Sequence, residues 1–394
     1  MAHTRLPMTN PSAAPSRRIA SLDIVRGVVM ILMAIDHVRV YSGQPAGGPS
    51  PGIFFTRWVT HFVAPAFVFL AGTSSFLYGK SVNDTRKLAR FLLTRGLWLV
   101  LLELTVIRVS WTFNFDFAHY MLAGVIWMIG WCMVLMAALV FLPNVVIGTA
   151  GVAIILLHNT TNYFPQAMSA LGEGPLGPLW KVLYLGGGFP LGGDGPPLLV
   201  LFVLVPWIGV MMAGYAFGNI MLRPPEERRR FSLRLGLAMT VAFVLLRAAN
   251  SYGDPHQWSA PLQFLATSKY PASLQFLLMT LGPMLVGLAV AGKAHGRAAE
   301  ILATFGRVPF FYYLLHIPVI HAAACLVSLL REGSVNPWLF ANHPLNPGPQ
   351  PAGYMWSLPL LYLVFVIVVT LLYFPCSWFA GLKARKRSAW LTYI

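Results

Sequence analysis

An arginine and a histidine with ten residues between them, Arg26 and His37, stand inside one apolar stretch running from Ala20 to Val40. In an α-helix eleven steps of about 100° return to within roughly 20° of the starting direction, and a rise of about 1.5 Å per residue sets the pair roughly 16 Å apart. They share a helix face at two depths. Titratable side chains are costly in hydrocarbon, so a pair aligned in this way predicts a polar path or site. His37 is the candidate general base, with the adjacent Asp36 able to orient the ring and raise its basicity. The competing reading makes Asp36, His37 and Arg39 an interfacial cap that meets headgroups and water. Arg26 is a candidate phosphate clamp, because a guanidinium grips phosphate oxygens in a planar, bidentate way. Its alternatives are snorkelling to the headgroups or pairing with Asp23.

Other polar residues fall in apolar surroundings. Arg57 and His61 are one helical turn apart, and Pro65 a further turn on can kink a helix there. Glu103 stands alone mid-span and is read as a structural partner for Arg108 or another helix, with proton relay as the alternative. His316 and His321 are spaced to point to different sides of a helix, a poor geometry for a shared metal, and no metal is predicted. His158 and His343 are read as loop or interface residues. There is neither a GxxxxGK[ST] phosphate loop nor a GxSxG elbow, which excludes the soluble nucleotide and hydrolase folds those motifs build.

The elements that must position these residues are membrane helices. The chain has 394 residues, 57% hydrophobic and only 10% charged, against about 25% charged in ordinary soluble domains. Apolar residues come in blocks of about twenty, the length that crosses the hydrocarbon layer, without the alternation of a β-barrel. The prediction is an all-α polytopic bundle of ten spans, near 20–41, 57–79, 91–111, 120–141, 144–160, 196–222, 231–250, 271–292, 308–330 and 355–379. It comprises a polar tail (1–16), one transmembrane domain (17–382) and a basic tail (383–394). The net charge of +16 does not point to nucleic acid. Most Lys and Arg lie in alternate inter-span segments, such as Arg86 to Arg95 and Arg223 to Arg234, which is the positive-inside pattern and puts both termini in the cytoplasm. The three cysteines are isolated in apolar blocks and are read as packing residues. The first span is expected to serve as an uncleaved signal.

Three stretches carry a family resemblance: Arg18 to Arg39, reading RIASLDIVRGVVMILMAIDHVR; His61-Phe62-Val63-Ala64-Pro65 through Phe69-Leu70-Ala71-Gly72; and Phe305-Gly306-Arg307-Val308-Pro309 through His316-Ile317-Pro318. They resemble the heparan-α-glucosaminide N-acetyltransferase-like bacterial membrane family, and the Arg-x10-His spacing is similar to that of the acyltransferase-3 family. The resemblance implies an inner-membrane acyltransferase. Such an enzyme moves an acetyl or other acyl group from cytoplasmic acetyl-CoA or another acyl-CoA to a hydroxyl or amine of an extracytoplasmic glycan or lipid-linked sugar. By carry-over Arg26 matches the inner arginine and His37 the outer catalytic histidine. The lysosomal relative keeps its essential histidine in the loop after the first helix. The loop 42–56 here has none, so His61 is the nearest second histidine. A CoA donor calls for basic residues at the inner mouth, where Arg26, Arg95 and Arg307 are the candidates. Membrane lipids surround such a bundle, and a homodimer is compatible with it. The rival reading is a transporter or flippase that uses the charged face of the first helix as a substrate path, although no inverted repeat is evident.

Overall fold

The computed structural model describes residues 19–48, 50–119, 121–341, 350–385 and 391. The polar tail 1–16, the basic tail beyond Arg385 apart from residue 391, and His343 lie outside the described residues. The helices that matter for the site are α1 (Ala20–Tyr41), α2 (the helical run Pro51–Val82), and α3 (Thr85–Leu102), which continues through a π-helical segment, Glu103–Ile107, into Arg108–Thr112. They are followed by α4 (Val125–Leu139), α5 (Asn144–Leu157), α6 (Trp207–Met221), α7 (Pro225–Ala248) and α8 (Leu274–Ala291). The last three are α9 (Arg297–Arg307), α10 (Pro309–Glu332) and α11 (Leu358–Arg385).

Each of the ten predicted spans overlaps a helix, but among the described residues six helices are long and apolar enough to cross a membrane, with two shorter apolar ones, α4 and α6. The first and third predicted spans, on α1 and α3, are helical yet carry at least three charged residues in every eighteen-residue window. Two predicted spans also begin too early. Met121–Ala123 and Pro197–Val200 are strands, β1 and β3, joined by β2 (Gly187–Pro190) into a small sheet of order β1-β3-β2. Proline cannot donate to a helical ladder, so the pair Pro196-Pro197 and then Pro206 keep this segment out of helix until Trp207.

α1 is the axis of the bundle. It packs against α2, α8, α9, α10 and α11, and backbones meet closely where it does. A Cβ on Gly27 would lie 1.8 Å from the Leu302 carbonyl oxygen, and one on Gly306 would lie 1.7 Å from that of Asp23. α1 and α9 are therefore locked at a distance only glycine permits, the close approach that small residues give helices in lipid. The Gly72 side of α2 meets α6 in the same way, with Met211 O at 2.1 Å.

Two fully buried arginines tie down the segments at one end. Arg108 donates to the backbone oxygen of Asn114 at 2.8 Å, to its Oδ1 at 2.6 Å, and to the Asp116 carbonyl. Arg247 donates to the carbonyls of His256, Gln263, Phe264 and Ala266 at 2.7–3.1 Å, with Asp254 3.7 Å away. Loop carbonyls that would be unsatisfied in a buried position thus share one donor-rich side chain. The folded 251–270 segment this creates delivers Lys269 and Tyr270 beside α1.

Candidate functional site

Two cavities lie along α1. The first, about 250 Å³, includes Asp36, His37, Arg39, Arg57, Glu103, Trp111, Lys269 and Tyr270 in its walls. The second, about 370 Å³, is walled in part by Arg26, Ser74, Tyr78, Arg95, Phe310 and Lys383. Tyr313 lines both. The shared face predicted for Arg26 and His37 therefore opens on two chambers that meet at one buried tyrosine.

In the first cavity the partner of His37 is not Asp36. Consecutive helical residues diverge by about 100°, and Asp36 turns to Arg39, 2.9 Å away, and to Arg57. His37 Nδ1 lies instead 2.7 Å from Nε2 of His316 on α10. His316 Nδ1 is 2.6 Å from the Tyr313 carbonyl oxygen and 3.2 Å from that of Tyr312. Carbonyls only accept, so Nδ1 of His316 carries the proton and its Nε2, in the neutral ring, accepts from His37 Nδ1–H. This assignment leaves His37 Nε2 with its lone pair, on a ring that borders the cavity. Trp111 holds that ring edge to face at 4.8 Å.

Glu103 meets another helix, one of the two partners the structural reading allowed. Its Oε2 accepts from the backbone N–H groups of Ile126 and Trp127 at 2.9 and 3.2 Å, at the start of α4, where helix N–H groups lack intrahelical partners and favour a negative group. It begins the π-helical segment of α3, a distortion that turns up often at functional sites.

The second histidine candidate is His61. It sits in the 3₁₀ turn Val59–Phe62 within α2, 5.5 Å from the Phe276 ring, and is not among the residues lining the His37 cavity. Of the three arginines predicted to hold a donor, Arg26 and Arg95 line the second cavity and Arg307 does not. Arg307 ends α9 with its side chain exposed, because α9 stops at Pro309, which opens α10. Lys383 of α11 takes its place in the wall. Arg26 donates to Asp23 at 3.1 Å and to Ser74 Oγ at 2.5 Å, so one predicted alternative, pairing with Asp23, coexists with a place in the cavity. Arg95 lies over the Phe91 and Phe310 rings, 5.8 and 5.9 Å from their centroids.

Sequence reasoning missed His316, Tyr313, Lys269 and Lys383 as site residues. The signal for His316 was present, since it is an ionisable residue in a long apolar helix and such residues face the bundle interior. Lys269 carried none, because its place depends on how residues 251–270 fold. Lys269 has its pKa held below the usual value by burial, with the Arg57 guanidinium adding to the effect and Tyr270 and Asp36 opposing it.

Helices of spanning length with ionisable groups inside define a multipass membrane protein. The model of the heparan-alpha-glucosaminide N-acetyltransferase catalytic family matches residues 18–250, more than half of the chain, and the chain belongs to that family. Membership makes it a membrane transferase. No curated protein matches the chain. The matched region includes Arg26, Asp36, His37, Arg57, His61 and Arg95, while Lys269, Tyr313, His316 and Lys383 lie beyond it.

Proposed function

We propose that this protein transfers an acetyl or other acyl group from cytoplasmic acyl-CoA to a hydroxyl or amine of an extracytoplasmic sugar across the inner membrane, through a bundle of ten spans. The observation that carries the reading is the pair of cavities meeting at Tyr313, one walled by Arg26, Arg95 and Lys383 and the other by His37. The basic excess of the inter-span segments supports a cytoplasmic placement of the Arg26 cavity. Guanidinium and ammonium groups there receive the donor's phosphates, and its pantetheine arm extends past Tyr313 to bring the thioester to His37.

His37 Nε2 removes a proton from the acceptor hydroxyl or amine as that atom attacks the thioester carbonyl. The tetrahedral intermediate collapses, the carbon–sulfur bond breaks, and the departing thiolate takes the proton from His37. His316 keeps Nδ1–H of His37 engaged, so that the free lone pair stays on the cavity side of the ring. Incubating detergent-solubilised protein with radiolabelled acetyl-CoA and glucosamine tests the reading: labelled sugar should form with wild type and not with His37→Ala. Acetyl-CoA that neither binds nor is consumed would make a transporter the better account.

A further inference from the structure

The acceptor cavity is unbalanced in charge. Asp36 divides its carboxylate between Arg39 and Arg57, and Arg39 also donates to the Gln44 carbonyl at 2.7 Å. Glu103 is committed to the start of α4. Lys269 is therefore left without a carboxylate, and among the described residues none approaches its Nζ within salt-bridge distance. The neighbours of the ammonium are aromatic residues: it stands 5.8 Å from the Phe202 ring centroid and 5.2 Å from that of Tyr270, whose hydroxyl is its nearest polar partner. Ring faces steady a cation but do not neutralise it. Lys269 is half-buried, and a cation partly withdrawn from water is stabilised where an anion meets it, so a lysine set in this wall favours a negative group from the ligand.

We infer that the acceptor carries an oxyanion, and that Lys269 and Arg57 receive it while His37 addresses the group to be acylated. The inference rests on the acyltransferase reading for the word acceptor, and on the charge of the cavity for the rest. Phosphate and carboxylate are two of the oxyanions that sugars commonly offer. Lys269 is a point charge that suits either, and Arg57, already tied to Asp36, adds directional N–H donors.

The experiment compares four acceptors, each with both an amine and hydroxyls: glucosamine, glucosamine 1-phosphate, glucosamine 6-phosphate and 2-amino-2-deoxyglucuronic acid. Acyl transfer from acetyl-CoA is measured for wild type, Lys269→Gln and Lys269→Arg. At least one anionic sugar should exceed glucosamine in kcat/KM by about tenfold or more, the scale of one charge-assisted hydrogen bond. Lys269→Gln should collapse that ratio and Lys269→Arg should keep most of it. Whether the phosphates or the carboxylate lead identifies the anion.

Inorganic phosphate added to wild type provides a check that needs no folded variant, since it should inhibit transfer to the anionic sugars more than transfer to glucosamine. Equal use of charged and neutral sugars, or a ratio untouched in Lys269→Gln, overturns the oxyanion subsite and leaves acyl transfer standing. Should no sugar be acylated, calorimetric titration with glucosamine 1-phosphate decides: binding that is lost in Lys269→Gln keeps the subsite without the transferase, and absence of binding removes it.

Discussion

His37 on α1 and His316 on α10 are joined ring to ring, Nδ1 to Nε2 at 2.7 Å, across 279 residues of sequence. A histidine held this way has one nitrogen committed and one available, and which is which is set by the Tyr313 carbonyl at the far end of the chain of bonds. The relationship separates two tasks that are easily merged, carrying the proton and aiming the ring.

Substituting each histidine separates the tasks experimentally. His37→Ala should lower acyl transfer by about 10² to 10⁴, the usual worth of a general base. His316→Ala should cost about tenfold in kcat, on the scale of one lost buried hydrogen bond, with KM for acetyl-CoA little altered. His316→Gln, whose Oε1 can still accept from His37 Nδ1–H, should recover part of the loss. Equal damage from Gln and Ala, with KM rising in step, would point to a packing role. Steady-state kinetics on protein matched by gel filtration reads all three.

Donor binding should depend on the charges of the second cavity. Arg26→Ala should weaken acetyl-CoA binding about ten- to hundredfold, as loss of a charge-assisted contact implies, and Lys383→Ala should weaken it too. Arg307→Ala should not, since Arg307 lies outside that wall. Isothermal titration of the solubilised protein distinguishes these outcomes, and an Arg307 effect equal to that of Arg26 would relocate the donor.

Among the described residues Tyr313 is the one common to both cavities, so its bulk should matter more than its hydroxyl. Tyr313→Phe should keep most of the transfer rate. Tyr313→Trp should block transfer while acetyl-CoA still binds, measured as intact donor affinity beside absent product.

Alkaline pH should weaken binding of an anionic acceptor. Lys269 has a lowered pKa, chiefly through burial, so its charge is present below that value and is lost as pH rises through it, earlier than for an exposed lysine near 10.4. Among the described residues the charged and titratable groups sharing its cavity are Asp36, His37, Arg39, Arg57, Glu103, Tyr270 and Tyr313. Of these Tyr270 also responds in this range. Burial alone would raise its pKa, but Lys269 and Arg57 outweigh that and lower it, and an ionised phenol would repel the ligand as well. Titrating glucosamine 1-phosphate against wild type and Tyr270→Phe at stepped pH separates the two, because a loss that persists in Tyr270→Phe belongs to Lys269.

Arg247 offers a stability test remote from the chemistry. Arg247→Ala removes the shared donor of four loop carbonyls, and at 1–3 kcal/mol for a buried polar group left unpaired the loss should reach about 3 kcal/mol or more. Thermal unfolding should move down, and limited proteolysis should open the 251–270 segment first.

The sequence made the helices legible because hydrocarbon thickness imposes length, and it made Arg26 and His37 legible because helical pitch imposes phase. The Arg26 to His37 face does border both cavities. Pairings across the bundle were not legible. Adjacency in sequence favoured Asp36 as the partner of His37, whereas the helix turns neighbours apart and tertiary packing supplies His316. Glu103 was readable as structural, yet its true partners are backbone N–H groups that no side-chain pattern announces. Arg307 resembled a mouth residue as a base near the end of a predicted span, but the break before Pro309 ends α9 with the side chain in the open. Lys269 depended on a loop whose course is set by a buried arginine's carbonyl contacts, a relation without any periodic trace.

Arg26 and His37 belong to one unbroken helix, and α9 is clamped to it through Gly27 and Gly306. The distance between them is that of a rigid rod, roughly 16 Å along the axis, and movement of the surrounding helices cannot change it without unwinding α1. On the proposed reading, a donor gripped by its phosphates at one end is measured against a molecular ruler. Donors with a shortened arm should fall short of His37 however tightly the phosphates are held. Longer acyl groups add length only beyond the thioester carbonyl, so their limit is set by the room left on the histidine side.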